Sequence, residues 1–301
     1  MKKWIWILIS LYAVAMVCVV VFAKEPVDDV SIITYLNHES RLVTSSSDEE
    51  TIDLFLSVED SFLTDIDCLE SAYIESDEDE SAIEVTAIEN VGETVSRNEK
   101  EYHRYILHYR FGIDGFQGTL SFPGASLVLG YENGESIGLA IGSLDFLFAS
   151  IDTPICLDFT RIYGIVNEIG DEDRLVAIVI GIEVTSLGEV RMAEVKTGID
   201  AIKIDEEDAI CCQDAPYYRQ DLAAIMAGKD REIGTLSTGY YVFPIDYAEG
   251  SVSLKRAYFS FGYTYLGNNY TLLVDDFPFA SKPALANANE DEISEYNYQY
   301  R

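Results

Sequence analysis

The chain has 301 residues, 48% of them hydrophobic and 12% aromatic, which leaves room for two domains that each bury a core and argues against a disordered protein. Against 53 acidic side chains stand only 20 basic ones, a formal charge of −33. A surface this acidic repels phosphate backbones and anionic lipid, so nucleic acid is excluded as a partner, and cations or basic groups are the natural counterparts.

Met1-Lys2-Lys3 opens a run of nineteen uncharged residues from Trp4 to Phe22, followed by Ala23 and the charged pair Lys24-Glu25. At 1.5 Å per residue the run spans roughly 28 Å, enough for a bilayer core. Residues 1–23 therefore read as a signal peptide cut after Ala23 or as an uncleaved membrane anchor through residues 4–22. Both readings put the bulk of the chain at the cell exterior.

From there the period is two. Strands are predicted at Ile52–Val58, Ile83–Ile88 and Tyr105–Phe111, and then along the face Ala125, Leu127, Leu129 and Tyr131. Asn133-Gly134 marks a hairpin turn into the strand Ile137–Phe148. Further strands are predicted at Leu157–Val166, Leu175–Val184, Glu189–Lys196, Tyr240–Ile245 and along Ala257, Phe259, Phe261 and Tyr263. One helix interrupts them, from Gln220 to Ala227, with Gly228 as its stop.

A segment of this pattern occurs twice. Ile113–Tyr131 (IDGFQGTLSFPGASLVLGY) returns 132 residues later as Ile245–Tyr263 (IDYAEGSVSLKRAYFSFGY), and seven of the nineteen positions agree where composition alone gives roughly one. Asp145, Phe146, Phe148, Ala149 and Ser150 likewise return as Asp276, Phe277, Phe279, Ala280 and Ser281. The expected fold is all-β: two tandem duplicated antiparallel β-sandwiches of immunoglobulin-like size, residues 24–150 and 151–283, with one short helix in the second copy. Residues 284–301 are polar and acidic and read as a flexible tail. The Cys, Trp, Cys hallmark of true immunoglobulin domains is missing, since Trp4 and Trp6 both fall in the N-terminal run.

No catalytic residue is assigned. Gly134-Glu135-Ser136-Ile137-Gly138 matches a nucleophile elbow, but a strand follows Ser136 and all three histidines (His38, His103, His108) precede it. The repeated acids Asp114, Asp145, Asp246 and Asp276 are candidate calcium ligands, because calcium takes carboxylate oxygens, although no ordered ligand series is present. In an exported chain Cys156 could oxidise with Cys211 or Cys212. The repeat suggests otherwise for two cysteines: Cys68 aligns with Met192 and Cys156 with Ile32, as small buried hydrophobes do. Twenty tyrosines, with doublets at Tyr217-Tyr218 and Tyr240-Tyr241 and a cluster from Tyr258 to Tyr270, suit contact with a protein or glycan. The function expected is a non-enzymatic interaction or structural module outside the cell, binding through an acidic, tyrosine-rich surface. The alternatives are an exported hydrolase with a carboxylate pair and an accessory subunit of an envelope transporter complex.

Overall fold

The computed structural model describes residues 30–59, 61–77, 79–112, 115–150, 156–169, 172–200, 202–227, 234–247, 255–279 and 284–298. The N-terminal run lies outside them, and among the described residues no helix is long and apolar enough to cross a membrane.

The first half holds eight strands: β1 (Val30–Tyr35), β2 (Asn37–Val43), β3 (Glu50–Leu56), β4 (Leu69–Glu75), β5 (Glu80–Arg97), β6 (Lys100–Phe111), β7 (Gly118–Tyr131) and β8 (Ser136–Phe148). They pair β1-β3-β6-β5 in one layer and β4-β7-β8 in the other, with a short β4–β5 hairpin joining the layers. Between the layers Ile32, Leu54 and Leu107 meet Ile74, Leu127, Leu129 and Phe146. Each such side chain withdrawn from water contributes about 1.5–3 kcal/mol.

The second half holds β9 (Leu157–Ile169), β10 (Glu172–Val184), β11 (Val190–Thr197), β12 (Ile202–Ile204), β13 (Ile210–Cys212), helix α1 (Leu222–Met226), β14 (Gly239–Tyr247), β15 (Lys255–Tyr265) and β16 (Asn268–Pro278). Here β9-β10-β14 carries β12 and β13 on its far edge, and β11-β15-β16 forms the facing layer. With β2 set aside in the first half and β12 and β13 taken together in the second, both orders are A-B-E-D facing C-F-G, the strand order of a constant-type immunoglobulin sandwich. The faces read from the sequence are the buried ones. Ala125, Leu127, Leu129 and Tyr131 are inside, as are Ala257, Phe259, Phe261 and Tyr263.

Of the elements that depart from expectation, three shape the architecture. Residues 284–298 are not a free tail: after a single 3-10 turn at Leu285–Asn287 they form β17 (Ile293–Tyr298), antiparallel to β1 from Val30↔Tyr298 to Tyr35↔Ile293. The acids Glu290, Asp291 and Glu292 only lead into the strand. Leu285, Ala288 and Ile293 cover the outer face of the layer at Ile33, Tyr35, Phe55 and Tyr102, while Tyr298 reaches the inner core. Arg97 holds the 3-10 turn, donating to the carbonyls of Leu285 at 2.8 Å and Ala288 at 2.7 Å. Helix α1 is also shorter than expected, running from its cap at Asp221, whose side chain accepts from the Ala223 amide, to Met226. Gly228 lies outside the described residues.

The third departure is β2, absent from the predicted elements because its buried side includes Asn37, Glu39 and Arg41. It runs parallel to β8 on one edge and parallel to the start of β15 on the other, so one continuous layer crosses both halves. Two features hold it there. Arg41 lies buried between Glu39 at 3.2 Å and Glu50 at 3.6 Å. Gly142, at φ +97°, lets the chains approach: a Cβ there would sit 1.9 Å from the Asn37 carbonyl oxygen.

Candidate interaction surface

Tyrosine doublets in a strand split between its two faces, because successive side chains alternate. Tyr241 is accordingly buried, its hydroxyl donating to the Ser237 carbonyl at 2.9 Å, while Tyr240 on β14 is half-buried. Tyr263 is buried and stacks on Tyr270 at 5.4 Å. Burial pushes the phenols of Tyr241 and Tyr258 above their usual range. Tyr241 and Tyr263 are thus core, while Tyr240, Tyr258, Tyr265 and Tyr270 are half-buried strand residues.

Tyr217-Tyr218 differs because it stands in the loop between β13 and α1. The rings are 60% and 47% exposed, their centroids 4.6 Å apart, with the Arg219 guanidinium 5.9 Å from the Tyr218 ring. The loop is tied to the edge of β9. The Val166 amide donates to the Tyr218 carbonyl at 2.7 Å, and the Tyr163 hydroxyl donates to the Pro216 carbonyl at 2.6 Å. Asn167 bridges the next turn, donating to the Gln220 carbonyl at 2.9 Å and accepting from the Leu222 amide at 3.0 Å. Two rings and a guanidinium are thus presented on a fixed backbone, an arrangement that stacks on sugars, aromatic rings or cations at small ordering cost. The doublet was visible in the sequence. Arg219 and the anchoring Asn167 were not, since nothing in the chain marks which loop lies against β9.

Of the four candidate calcium ligands, the side chains of Asp145 and Asp246 are described. Asp114 lies outside the described residues, and of the Asp276 side chain nothing is described. Asp145 accepts from the Ser121 hydroxyl at 2.5 Å on β7, in the first half. Asp246 is exposed on β14, in the second half, opposite Lys203 of β12. Among the described residues no group of three His, Cys, Asp or Glu could hold a metal. The neighbouring Asp275 instead accepts from the Leu42 amide at 3.1 Å, tying β16 to β2.

Cys68, Cys156, Cys211 and Cys212 carry no disulfide among the described residues. Cys211 and Cys156 pack against the core between the layers, whereas Cys212 faces the opposite side of its strand, against Ile225 of α1. Burial raises the Cys156 thiol above its usual range despite a bond with Ser186.

No protein-family model matches the chain, and no curated protein sequence matches it. Solved structures are similar at low scores. A chimeric titin Z1Z2-Z1Z2 tandem matches at 10% identity over 80% of this chain and 96% of its own, with a TM-score of 0.18. The C-terminal domain of the Streptococcus agalactiae AgI/II polypeptide BspA matches at 11% identity over 81% and 99%, with a TM-score of 0.19. A chimeric titin Z1Z2 carrying a peptide from decorin matches at 12% identity over 81% and 95%, also at 0.19. The sandwich assignment rests on the strand pairing alone.

Proposed function

We propose that this chain is a non-enzymatic interaction module of the cell exterior. Residues 24–150 and 151–283 are two sandwiches related by duplication, carried behind a signal peptide or anchor at residues 1–23. They bind a protein or glycan partner through an acidic surface on which Tyr217, Tyr218 and Arg219 supply the aromatic platform. One observation carries the reading. The most exposed tyrosine pair among the described residues is also held at four backbone positions to β9, a rigidity that a solvated loop does not need. With a formal charge of −33, a protein partner has a basic rim.

The test is a glycan array run beside an array of lysine- and arginine-rich peptides, probed with the wild type and with Tyr217→Ala/Tyr218→Ala. Expected is binding to at least one class at low salt, weakened about tenfold or more in the variant with its melting temperature kept. Wild-type protein that binds neither class would sink the reading.

A further inference from the structure

The two most exposed large apolar side chains among the described residues are Leu187, at 110%, and Leu266, at 76%. Leu187 stands in the loop between β10 and β11, and Leu266 in the two-residue turn between β15 and β16. The two turns touch. A Cβ added to Gly188 would lie 2.7 Å from the Tyr265 ring, so the backbone beside Leu187 lies flat against the side chain beside Leu266. The Thr185 amide donates to the Cys156 carbonyl at 2.9 Å and fixes the first loop further.

Leu266 is also in the wrong backbone for a leucine. Its φ is +50° and that of Gly267 is +79°, the pair of positive angles of a tight hairpin turn that favours Asn-Gly. The first half has Asn133-Gly134 in its corresponding hairpin. A bulky residue kept at left-handed φ points to a use for the side chain. The tip is locally uncharged too, in a chain of −33. Thr185 to Gly188 and Leu266 to Asn269 carry no ionisable group, and the adjoining Glu189 is held by Arg191 and Thr235, each at 2.9 Å. The bond to Arg191 is the main reason its carboxyl lies below the usual range.

We propose that Leu187 and Leu266 form a preformed tip that dips into the surface of an uncharged lipid bilayer, with Tyr265 at the level of the head groups. Leucine in the acyl layer beneath a tyrosine collar matches the polarity profile of a bilayer surface. A second copy of the chain is a poorer occupant. Two projecting leucines offer far less than the roughly 800 Å² per partner of a stable dimer. A protein pocket is poorer too, because leucine is under-represented among residues that dominate protein interfaces. Anionic lipid is disfavoured by the charge on the rest of the chain. The tip also lies away from the N-terminal side. β1, β2, β8 and β15 all run the same way, so the turn after β15 projects from the end opposite Val30. A chain held in one membrane through residues 4–22 would therefore present the tip to a second lipid surface. This contact is separate from the Tyr217–Tyr218 platform and stands or falls without it.

The test is flotation of the full chain with phosphatidylcholine vesicles, its N-terminal run taken up beforehand by a phosphatidylcholine nanodisc. The wild type is expected to co-float, and to do so less with phosphatidylglycerol vesicles at low salt. The double variant Leu187→Ser/Leu266→Asn is expected to lose about tenfold or more in vesicle affinity. Its melting temperature should be unchanged or higher, because asparagine suits the left-handed turn. Failure of the wild type to co-float overturns the proposal, as does equal flotation of wild type and variant. Loss of binding to a protein partner alone, with no vesicle binding, overturns it as well.

Discussion

In the first half both outer strands are covered by other strands, β17 along β1 and β2 along β8. In the second half the corresponding strands, β9 and β16, have no strand on their outer edges among the described residues. The sequences of these edges differ to match. β1 reads VSIITY, without charge, proline or bulge, and would template pairing with any chain that met it. β9 is interrupted by a register shift where Gly181/Ile182 face it, carries the exposed Arg161, and loses its Val166 amide to the Tyr218 loop. β16 carries Asp275-Asp276 and ends at Pro278. Bulges, charges and proline are the usual protections of a bare edge. The second half is thus built to stand with its edges open, and the first is completed only when the last segment of the described chain arrives.

That contrast can be broken most severely at β17. Deleting residues 284–301 should cost the first half about 5 kcal/mol or more, from the exposure of Leu285, Ile293, Tyr298 and their partners, and should produce oligomers on size exclusion. A monomer with an unshifted melting temperature would mean that β17 is decoration. Next is Arg41→Ala, expected to cost about 3–5 kcal/mol in denaturant unfolding, because it leaves Glu39 and Glu50 buried without their cation. Gly142→Ala should cost about 3 kcal/mol by forcing β2 off β8. Gly138→Ala on the same strand, with only Val128 at 4.0 Å, should be tolerated.

A milder effect is expected in alkali, on the second half. The Tyr247 hydroxyl donates to the carbonyls of Leu175 and Phe279, at 3.1 and 2.9 Å. Burial pushes its phenol from 10.0 up to about 12, against the opposing pull of Arg174. A raised folded-state value means its contribution is complete below pH 10 and is lost as the pH climbs to about 12. Unfolding free energy should fall across that window, and less steeply in Tyr247→Phe. The smallest effect on stability is expected from Arg161→Val, within about 0.5 kcal/mol. Its readout is self-association in sedimentation, which should increase once the β9 edge loses its charge; unchanged sedimentation would remove Arg161 from the list of edge guards.

What the sequence made legible follows the same contrast. Strands with one wet face announced themselves, so β7 and β15 were placed from alternation alone. β1 was not, because it is buried on both faces and so has no period. Nor was β2, whose buried ionic side chains read as surface. β17 could not be read because its partner lies over 250 residues away, and Ile293 and Tyr298 declare a strand only beside β1. At the candidate surface the Tyr217-Tyr218 doublet was visible. Its difference from Tyr240-Tyr241 is a matter of loop against strand, which composition does not encode.

The pairing of Val30 with Tyr298 has a mechanical consequence. Tension applied between these two points acts across the first rung of the β1–β17 ladder and opens it one rung at a time. It does not shear all six rungs together. The load needed is that of a single rung, and the sandwiches behind it feel little until the ladder has parted. Pulled this way, the molecule yields like a zip fastener, with β17 released first and the layer shared by β2, β8 and β15 left intact.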